Sequence, residues 1–302
     1  MTTTTTPPAT PATVRPAPAA PEVKERAELR NVLVVARKEL RDAVRDRWFW
    51  LYAGGFTILA VALSSFAISE ARVVGFGGFG RTAASLVALV QLVVPLMGLT
   101  LGARSIASQR ERGTLAFLLA HPVSRSEAFL GIFLGSTTAM LAAVAGGFGI
   151  AGLVAAIRSA TVVASDLVEI ALLSWLLAVA MIGVGMLVSV TARRSSAAMG
   201  TALFVWLLLV FLGDVGLMGT AVATRLPVNA LFFTAVANPV EAFRLSTITA
   251  LEGSLDVLGP VGSYAVERLG DALRWVVGGI VVVWAVVPTV IAWALFRRGR
   301  DL

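Results

Sequence analysis

Six apolar stretches, each of about 20 residues or more, constrain this 302-residue chain more than any other feature. A bilayer core about 30 Å thick is crossed by about 20 helical residues. Backbone polar groups in lipid must be satisfied within the segment, and the stretches are too long for barrel strands. The sequence therefore predicts six transmembrane helices. They run roughly over residues 48–68, 82–102, 128–157, 167–190, 197–218 and 272–296.

The composition agrees with a chain built for lipid. Hydrophobic residues make up 57% of it, charged residues 14%, and the mean hydropathy is +0.85, whereas soluble domains are about 25% charged. The net charge of +7 does not indicate nucleic-acid binding, because the charges lie at the ends of apolar runs and not on a basic face. We expect an all-α integral membrane protein that contacts membrane lipid and no nucleic acid.

The basic residues predict the orientation of the chain. Of the 25 Lys and Arg residues, 18 fall on the side of the membrane that six spans assign to both termini. They lie in the N-terminal segment up to residue 47, in the stretch 104–125, in the pair at 193–194 and in the tail from residue 297. By the positive-inside rule, we expect a multi-pass protein of the plasma (inner) membrane with both termini in the cytoplasm.

Two features precede the first span. Residues 1–28 form a Thr/Pro/Ala-rich tract that is predicted to be a disordered cytoplasmic tail, so that the six-span membrane domain covers residues 29–302. From residue 29 to residue 44, apolar residues recur at helical spacing opposite basic ones, a pattern typical of an amphipathic interfacial helix. The apolar positions are Leu29, Val32, Leu33, Ala36, Leu40 and Val44.

Two glycine pairs indicate close contacts between helices. Gly98 with Gly102 and Gly131 with Gly135 have the small-xxx-small spacing that lets helix backbones approach each other. A structural role is the expected one for all four.

A polar island, residues 108–127 (SQRERGTLAFLLAHPVSRSE), separates the second and third predicted spans. Thr114 is predicted to begin a short helix that Pro122 ends, with leucines 115, 118 and 119 on one side. Ser124 and Glu127 form an S-x-x-E capping box that leads into the third span. These residues alone fit either a solvated connector or a docking element.

Three stretches resemble known sequences. The segment ARSIASQRERGTLAFLLAHPVSRSEAFLGIFLG (103–135) resembles the signature of ABC-2 type transporter permeases, in which E-x-E-x-G-T, a leucine pair and P-V-S-R follow the second span. The segment VARKELRDAVRDRWFW (35–50) is similar to the helix before the first span of that family. The stretch NPVEAFRLSTI (238–248) is similar to one branch, the permeases associated with nitrous oxide reductase maturation and with copper or sulfur delivery to that enzyme.

The match within the island is incomplete. Glu111, Gly113 and Thr114 agree with the family pattern, as do Pro122 and Arg125. Gln109 stands where an acidic residue is common, and Ile132 where a lysine is common. A family salt bridge at those two positions is therefore not expected here.

The resemblance implies that the island is a coupling helix, which seats in a cleft of an ATP-binding subunit and transmits its closure to the membrane. The implied ATPase-coupling residues are Gln109, Arg110, Glu111, Gly113, Thr114, Leu118, Pro122 and Arg125. It further implies two six-span chains, in a homodimer, with two ATP-binding subunits. Short external helices before the last span are implied as well, where a periplasmic or extracellular accessory protein could bind.

The chain itself lacks a nucleotide site. A P-loop needs G-x-x-x-x-G-K-[ST], and the two lysines, Lys24 and Lys38, have no glycine nearby. We therefore expect no catalytic activity and no cofactor bound by this chain, with ATP acting through the partner subunit.

Other functions stay open at this stage. An exporter of another small molecule or of a lipid-like cargo, a gradient-driven carrier and a non-transporting membrane scaffold all fit the composition. Asp214 is a possible pathway residue, or it caps the outer end of its helix. The single histidine, His121, fits a packing or docking residue better than a metal ligand, and the scattered methionines fit core packing. No metal site is predicted.

Overall fold

The computed structural model describes residues 28–74, 78–158, 164–223, 236–250, 270 and 272–299. Every regular element in these ranges is an α-helix, as the composition predicts. The helices are α1 (Leu29–Arg45), α2 (Arg47–Val74), α3 (Gly78–Glu111), α4 (Thr114–Leu119), α5 (Arg125–Arg158), α6 (Ala164–Thr191), α7 (Ser195–Ala223), α8 (Pro239–Ala250) and α9 (Ala272–Arg298). The predicted tail, residues 1–28, lies outside the described part of the chain except for Glu28.

The described helices confirm a multi-pass membrane protein. Five segments are long and apolar enough to cross a bilayer, and they correspond to the first, second, third, fourth and sixth predicted spans. These segments are Arg47–Ser65, Ser85–Glu111, Arg125–Ile157, Ser165–Thr191 and Ala272–Arg298. The fifth predicted span falls on α7, of which Ser195–Phe211 is a shorter apolar segment.

Helices α3 and α6 pack closely against each other. A Cβ atom added to Gly102 would lie 2.4 Å from the carbonyl oxygen of Ile182, and one added to Gly185 would lie 2.5 Å from that of Leu99. Just beyond this crossing, the Ser189 hydroxyl oxygen accepts hydrogen bonds from the backbone N–H groups of Ile106 and Ala107 in α3, at 3.1 and 2.8 Å. The first glycine pair of the sequence therefore brings α3 onto α6, as its spacing predicts.

The second glycine pair seats α1. A Cβ atom on Gly131 would lie 2.5 Å from the Cβ of Val35, and one on Gly135 would lie 2.6 Å from the carbonyl oxygen of Ala36. Helix α1 therefore lies directly on α5. The predicted apolar side of α1 is divided, because Val32 is buried against the bundle while Leu33 is exposed.

Helix α8 is the described part of the segment between the last two predicted spans. It packs against α9 and α6, and Phe243 and Thr247 are fully buried. The Asn238 side chain accepts a hydrogen bond from the backbone N–H of Val240 at 2.9 Å and donates one to the Leu209 carbonyl at 2.6 Å. Residues 224–235 and 251–269 of this segment, in which further short external helices are predicted, lie outside the described residues.

Candidate functional site

The polar island meets α1, the turn between α6 and α7, and the end of α9 at one end of the bundle, which we call the island end. The sequence assigns all four segments to the same side of the membrane from their basic residues, and the structure brings them together. Hydrogen bonds join them across sequence separations of 80 residues and more.

The island begins as a continuation of α3 and not as a loop. The helix extends to Glu111, so residues 108–111, which the sequence places in a connector, are helical. The Arg110 guanidinium explains this extension in part, because it donates to the carbonyls of Val190 at 3.3 Å and Ala192 at 2.9 Å. The last carbonyls of a helix have no partner within the helix and favour a positive charge.

Glu111 makes the complementary contact with α7. Its carboxylate accepts a hydrogen bond of 3.1 Å from the backbone N–H of Ser195, the first residue of that helix. The first N–H groups of a helix lack internal partners, and a carboxylate stabilises the positive end of the helix dipole. Arg110 and Glu111 therefore fix the C-terminus of α6 and the N-terminus of α7 to the end of α3.

A single turn connects α3 to α4. Gly113 has φ +73°, a left-handed conformation that side chains disfavour. The hydroxyl of Thr114 donates to the Gln109 carbonyl at 3.2 Å and closes the end of α3. Leu115 is 1% exposed, and Leu118 packs against the main core. The predicted short helix and its buried leucine side are confirmed, although Gly113 and not Thr114 occupies the N-cap position.

The opposite side of α4 points outward. Phe117 is 71% exposed, and its ring centroid lies 4.9 Å from that of His121 in an edge-on arrangement. The Nδ1 atom of His121 lies 3.0 Å from the Phe117 carbonyl, so this nitrogen is the one that donates. Our sequence reasoning missed Phe117. Phe117 lies four residues before His121 and on the side of α4 away from the leucines, and this spacing could have indicated an exposed aromatic residue.

The island ends in a reciprocal cap. The Ser124 N–H donates to Glu127 Oε2 at 2.8 Å, and the Glu127 N–H donates to Ser124 Oγ at 3.2 Å, which confirms the predicted capping box. Glu127 is 3% exposed and also accepts from the Glu28 N–H and the Asn31 amide. The carboxylate therefore ties the start of α1 to the start of α5.

Two further predicted residues contact other segments. The Pro122 carbonyl accepts from the Asn31 amide at 3.4 Å, and the Arg125 guanidinium donates to the Gly299 carbonyl after α9. The predicted coupling residues are thus gathered at one place, and most of them hold the island to its own bundle. Their coupling role stays a prediction.

Gln109 joins the island to α1. It is 4% exposed, and its amide donates to Glu39 Oε2 at 3.1 Å. Burial raises the pKa of Glu39 to about 7, while Lys38, Gln109 and Arg112 act in the opposite direction. Burial therefore keeps a proton on Glu39 to a higher pH than on an exposed glutamate, at a contact between α1 and the base of the island.

The described residues hold no group of three His, Asp or Glu side chains that could bind a metal. Met97, Met140, Met181 and Met186 are buried in the core, as expected for packing residues. Asp214 belongs to α7, but its side chain lies outside the described part of the chain, so its predicted pathway role stays a prediction.

Comparison with known proteins shows similarity along nearly the whole chain. The family model of ABC-2 family transporter proteins matches residues 33–302. A probable ABC transporter permease protein NosY of Stutzerimonas stutzeri is 30% identical over 282 residues, which are 89% of this chain and 99% of that protein. A protein of the same name from Pseudomonas aeruginosa is 30% identical over 280 residues, 88% of this chain and 98% of that protein.

Proposed function

Because this chain belongs to the ABC-2 transporter family and is a multi-pass membrane permease, we propose that it works with a separate ATP-binding subunit that docks on α4. One observation carries this proposal. The outward side of α4 presents an exposed Phe117 and His121, while the opposite side is held to the bundle. A large exposed aromatic next to a polar rim is typical of the residues that dominate protein interfaces.

The connections of α4 explain how docking would act on the membrane helices. Helix α3 continues through one turn into α4, and the capping box leads from α4 into α5. Arg110 and Glu111 add fixed contacts to α6 and α7. A displacement of α4 is therefore transmitted to four helices at once. In the proposed cycle, ATP binding closes the nucleotide-binding pair, and the bundle reorients between inward and outward access.

The remaining parts of the proposal concern the assembly. We place the island end on the cytoplasmic side of the plasma membrane, since the basic residues of α1, the island and the α6–α7 turn lie at this end of the bundle. We place the fifth predicted span, which completes a set of six, on α7, where the Trp206 indole donates to the Leu92 carbonyl of α3 at 3.0 Å. Two identical six-span chains with two ATP-binding subunits complete the proposed transporter.

The cargo is proposed from the relatives. Both curated relatives are named NosY permeases, and the stretch 238–248, together with the layout of the chain, resembles the branch associated with nitrous oxide reductase maturation. We therefore propose a copper- or sulfur-linked cargo. The described residues contain no group of three His, Asp or Glu side chains that could hold a metal ion.

Purification of the tagged chain from its native membrane in mild detergent tests the proposal. An ATP-binding subunit in about equal amount, with vanadate-sensitive ATPase activity, is the expected result. Phe117→Asp is expected to weaken retention of that subunit roughly 10- to 100-fold, because it places a charge in the centre of the interface.

Phe117→Tyr is the matched control, since it keeps the ring and should keep the subunit. The scaffold and gradient-driven alternatives gain support if the chain purifies alone and without ATPase activity. Full retention of the subunit by Phe117→Asp would show that α4 is not the docking element.

A further inference from the structure

A cavity of about 450 Å³ opens at the island end between α1, the start of α2 and the last turns of α3. This volume falls in the range of small-molecule sites. The cavity lies on the side of α3 that faces α1, and α4 does not line it. It is therefore distinct from the proposed docking side of α4.

The charges around the cavity do not balance. Four basic and three acidic side chains line it. Lys38 pairs with Asp42 at 3.0 Å, and Arg104 pairs with Asp46 at 3.0 Å. The remaining carboxylate, Glu39, is largely buried, lies 3.8 Å from the Lys38 ammonium and accepts a hydrogen bond from Gln109.

Two arginines face the cavity without a direct ion pair to a described carboxylate, although the charge of Arg112 also acts on Glu39. In the described residues, Arg45 forms no ion pair, and Arg112 donates only to the carbonyl and hydroxyl of Ser108. Both line the cavity. A concave wall with surplus guanidinium groups favours a phosphate, because the planar fork of Arg matches phosphate oxygens.

The rest of the wall combines apolar and aromatic side chains with the polar side chains of Thr100, Ser105, Ser108 and Gln109. Met97, Leu101 and Met140 belong to its apolar lining. Trp48 and Tyr52 line it at the start of the first span, and Trp48 is 53% exposed. Amphipathic rings of this kind lie at the level of lipid headgroups. An inorganic anion would leave this apolar wall unused, whereas an amphiphile would contact both parts.

We propose that the cavity binds an anionic phospholipid, with its phosphate at Arg45 and Arg112 and its glycerol and first acyl carbons along Trp48 and Leu101. Helix α1 supports this placement, since its exposed apolar residue Leu33 can enter the same leaflet. A lipid headgroup and a free inorganic phosphate would present the same phosphate group to the arginines. The apolar part of the wall favours the lipid, because only the lipid has apolar atoms to contact it. The inference does not depend on ATP coupling.

Native mass spectrometry of the full-length chain, purified together with whatever subunit accompanies it, tests the site. Phosphatidylglycerol and phosphatidylcholine are titrated separately. The intact chain is expected to retain phosphatidylglycerol preferentially. The double variant Arg45→Gln/Arg112→Gln should reduce that retention roughly 10- to 30-fold. Each of the two arginines is expected to contribute a comparable electrostatic attraction to the anionic headgroup, and the variant removes both.

The matched control removes the same charge at the same end. Arg193→Gln with Arg194→Gln alters two exposed arginines outside the cavity and should leave retention unchanged. Leu101→Trp fills the cavity without changing any charge and should also reduce retention, with size-exclusion chromatography showing that it is folded.

Three outcomes would overturn the proposal. Equal binding of both lipids would show that the chain holds lipid without regard to its headgroup. Equal loss in the control and in the Arg45/Arg112 variant would assign the preference to net charge. Displacement of phosphatidylglycerol by inorganic phosphate, with no effect of Leu101→Trp, would assign the site to a free anion.

Discussion

Gly102→Ala is expected to destabilise the folded chain by about 3 kcal/mol or more. The added Cβ would lie 2.4 Å from the carbonyl oxygen of Ile182 and 2.9 Å from the backbone nitrogen of Met186. Backbone atoms of α6 cannot move away singly, so the α3–α6 contact would have to open. The measurement is thermal unfolding of the purified chain in detergent, with folded yield from size-exclusion chromatography.

Gly146→Ala is the matched control, because Gly146 lies in the membrane helix α5 with nothing within 4 Å of its added Cβ. It should leave stability unchanged or raise it by up to about 1 kcal/mol, since glycine weakens helices. If Gly102→Ala unfolded at the same temperature as the parent chain, the close α3–α6 contact would be wrong.

Glu39→Gln is expected to raise the free energy of unfolding by up to about 3 kcal/mol near pH 8 and by less than about 1 kcal/mol near pH 5. Burial raises the pKa of Glu39 from 4.5 to about 7. Between these values the folded chain keeps a proton that the unfolded chain releases. The parent chain therefore loses stability as the pH rises from 4.5 to 7, whereas the neutral amide does not titrate.

The control replaces an amide by a carboxyl group at Gln109, the hydrogen-bond partner of Glu39. Gln109→Glu replaces the amide that donates to Glu39 at 3.1 Å with a second carboxyl group, and it should destabilise the chain above neutral pH. Thermal unfolding of both variants across this pH range checks the two signs. If Glu39→Gln raised the free energy of unfolding equally near pH 5 and near pH 8, burial of the charged carboxylate would not be the cause of the gain.

Gln109 also shows what a departure from a family pattern can mean. An acidic residue is common at this position in the family that the island resembles, and here it would face the buried Glu39. The amide can donate a hydrogen bond to that carboxylate without adding charge. The sequence alone shows the departure, but Glu39 lies 70 residues away, and only the fold shows why an amide fits.

The spans and α1 could be predicted from the sequence because hydrophobic length and periodicity are local properties. The same holds for the Ser124/Glu127 cap. The extension of α3 to Glu111 could not be predicted, because its polar residues are typical of a loop. The partners that stabilise this extension, the end of α6 and the start of α7 at Ser195, lie about 80 residues further along the chain.

The glycine pairs illustrate the same limit. Their spacing predicts a close approach of helices but not the partner, which is α6 for Gly98 and Gly102 and α1 for Gly131 and Gly135. Likewise, the resemblance predicts that the island is the coupling segment. It did not distinguish the residues that fix the island to the bundle from Phe117, which faces outward.

The central claim is that α4 contacts an ATP-binding subunit, and site-directed cross-linking tests it most directly. The chain contains no cysteine, so Ala116→Cys on the exposed side of α4 provides a single thiol for a photoactivatable maleimide. Ala272→Cys, also exposed and at the start of α9, is the control. We predict a cross-link from position 116 to a P-loop protein, changed by ATP with vanadate, and none from position 272. No cross-link at 116, or equal cross-links from both positions, would contradict the account.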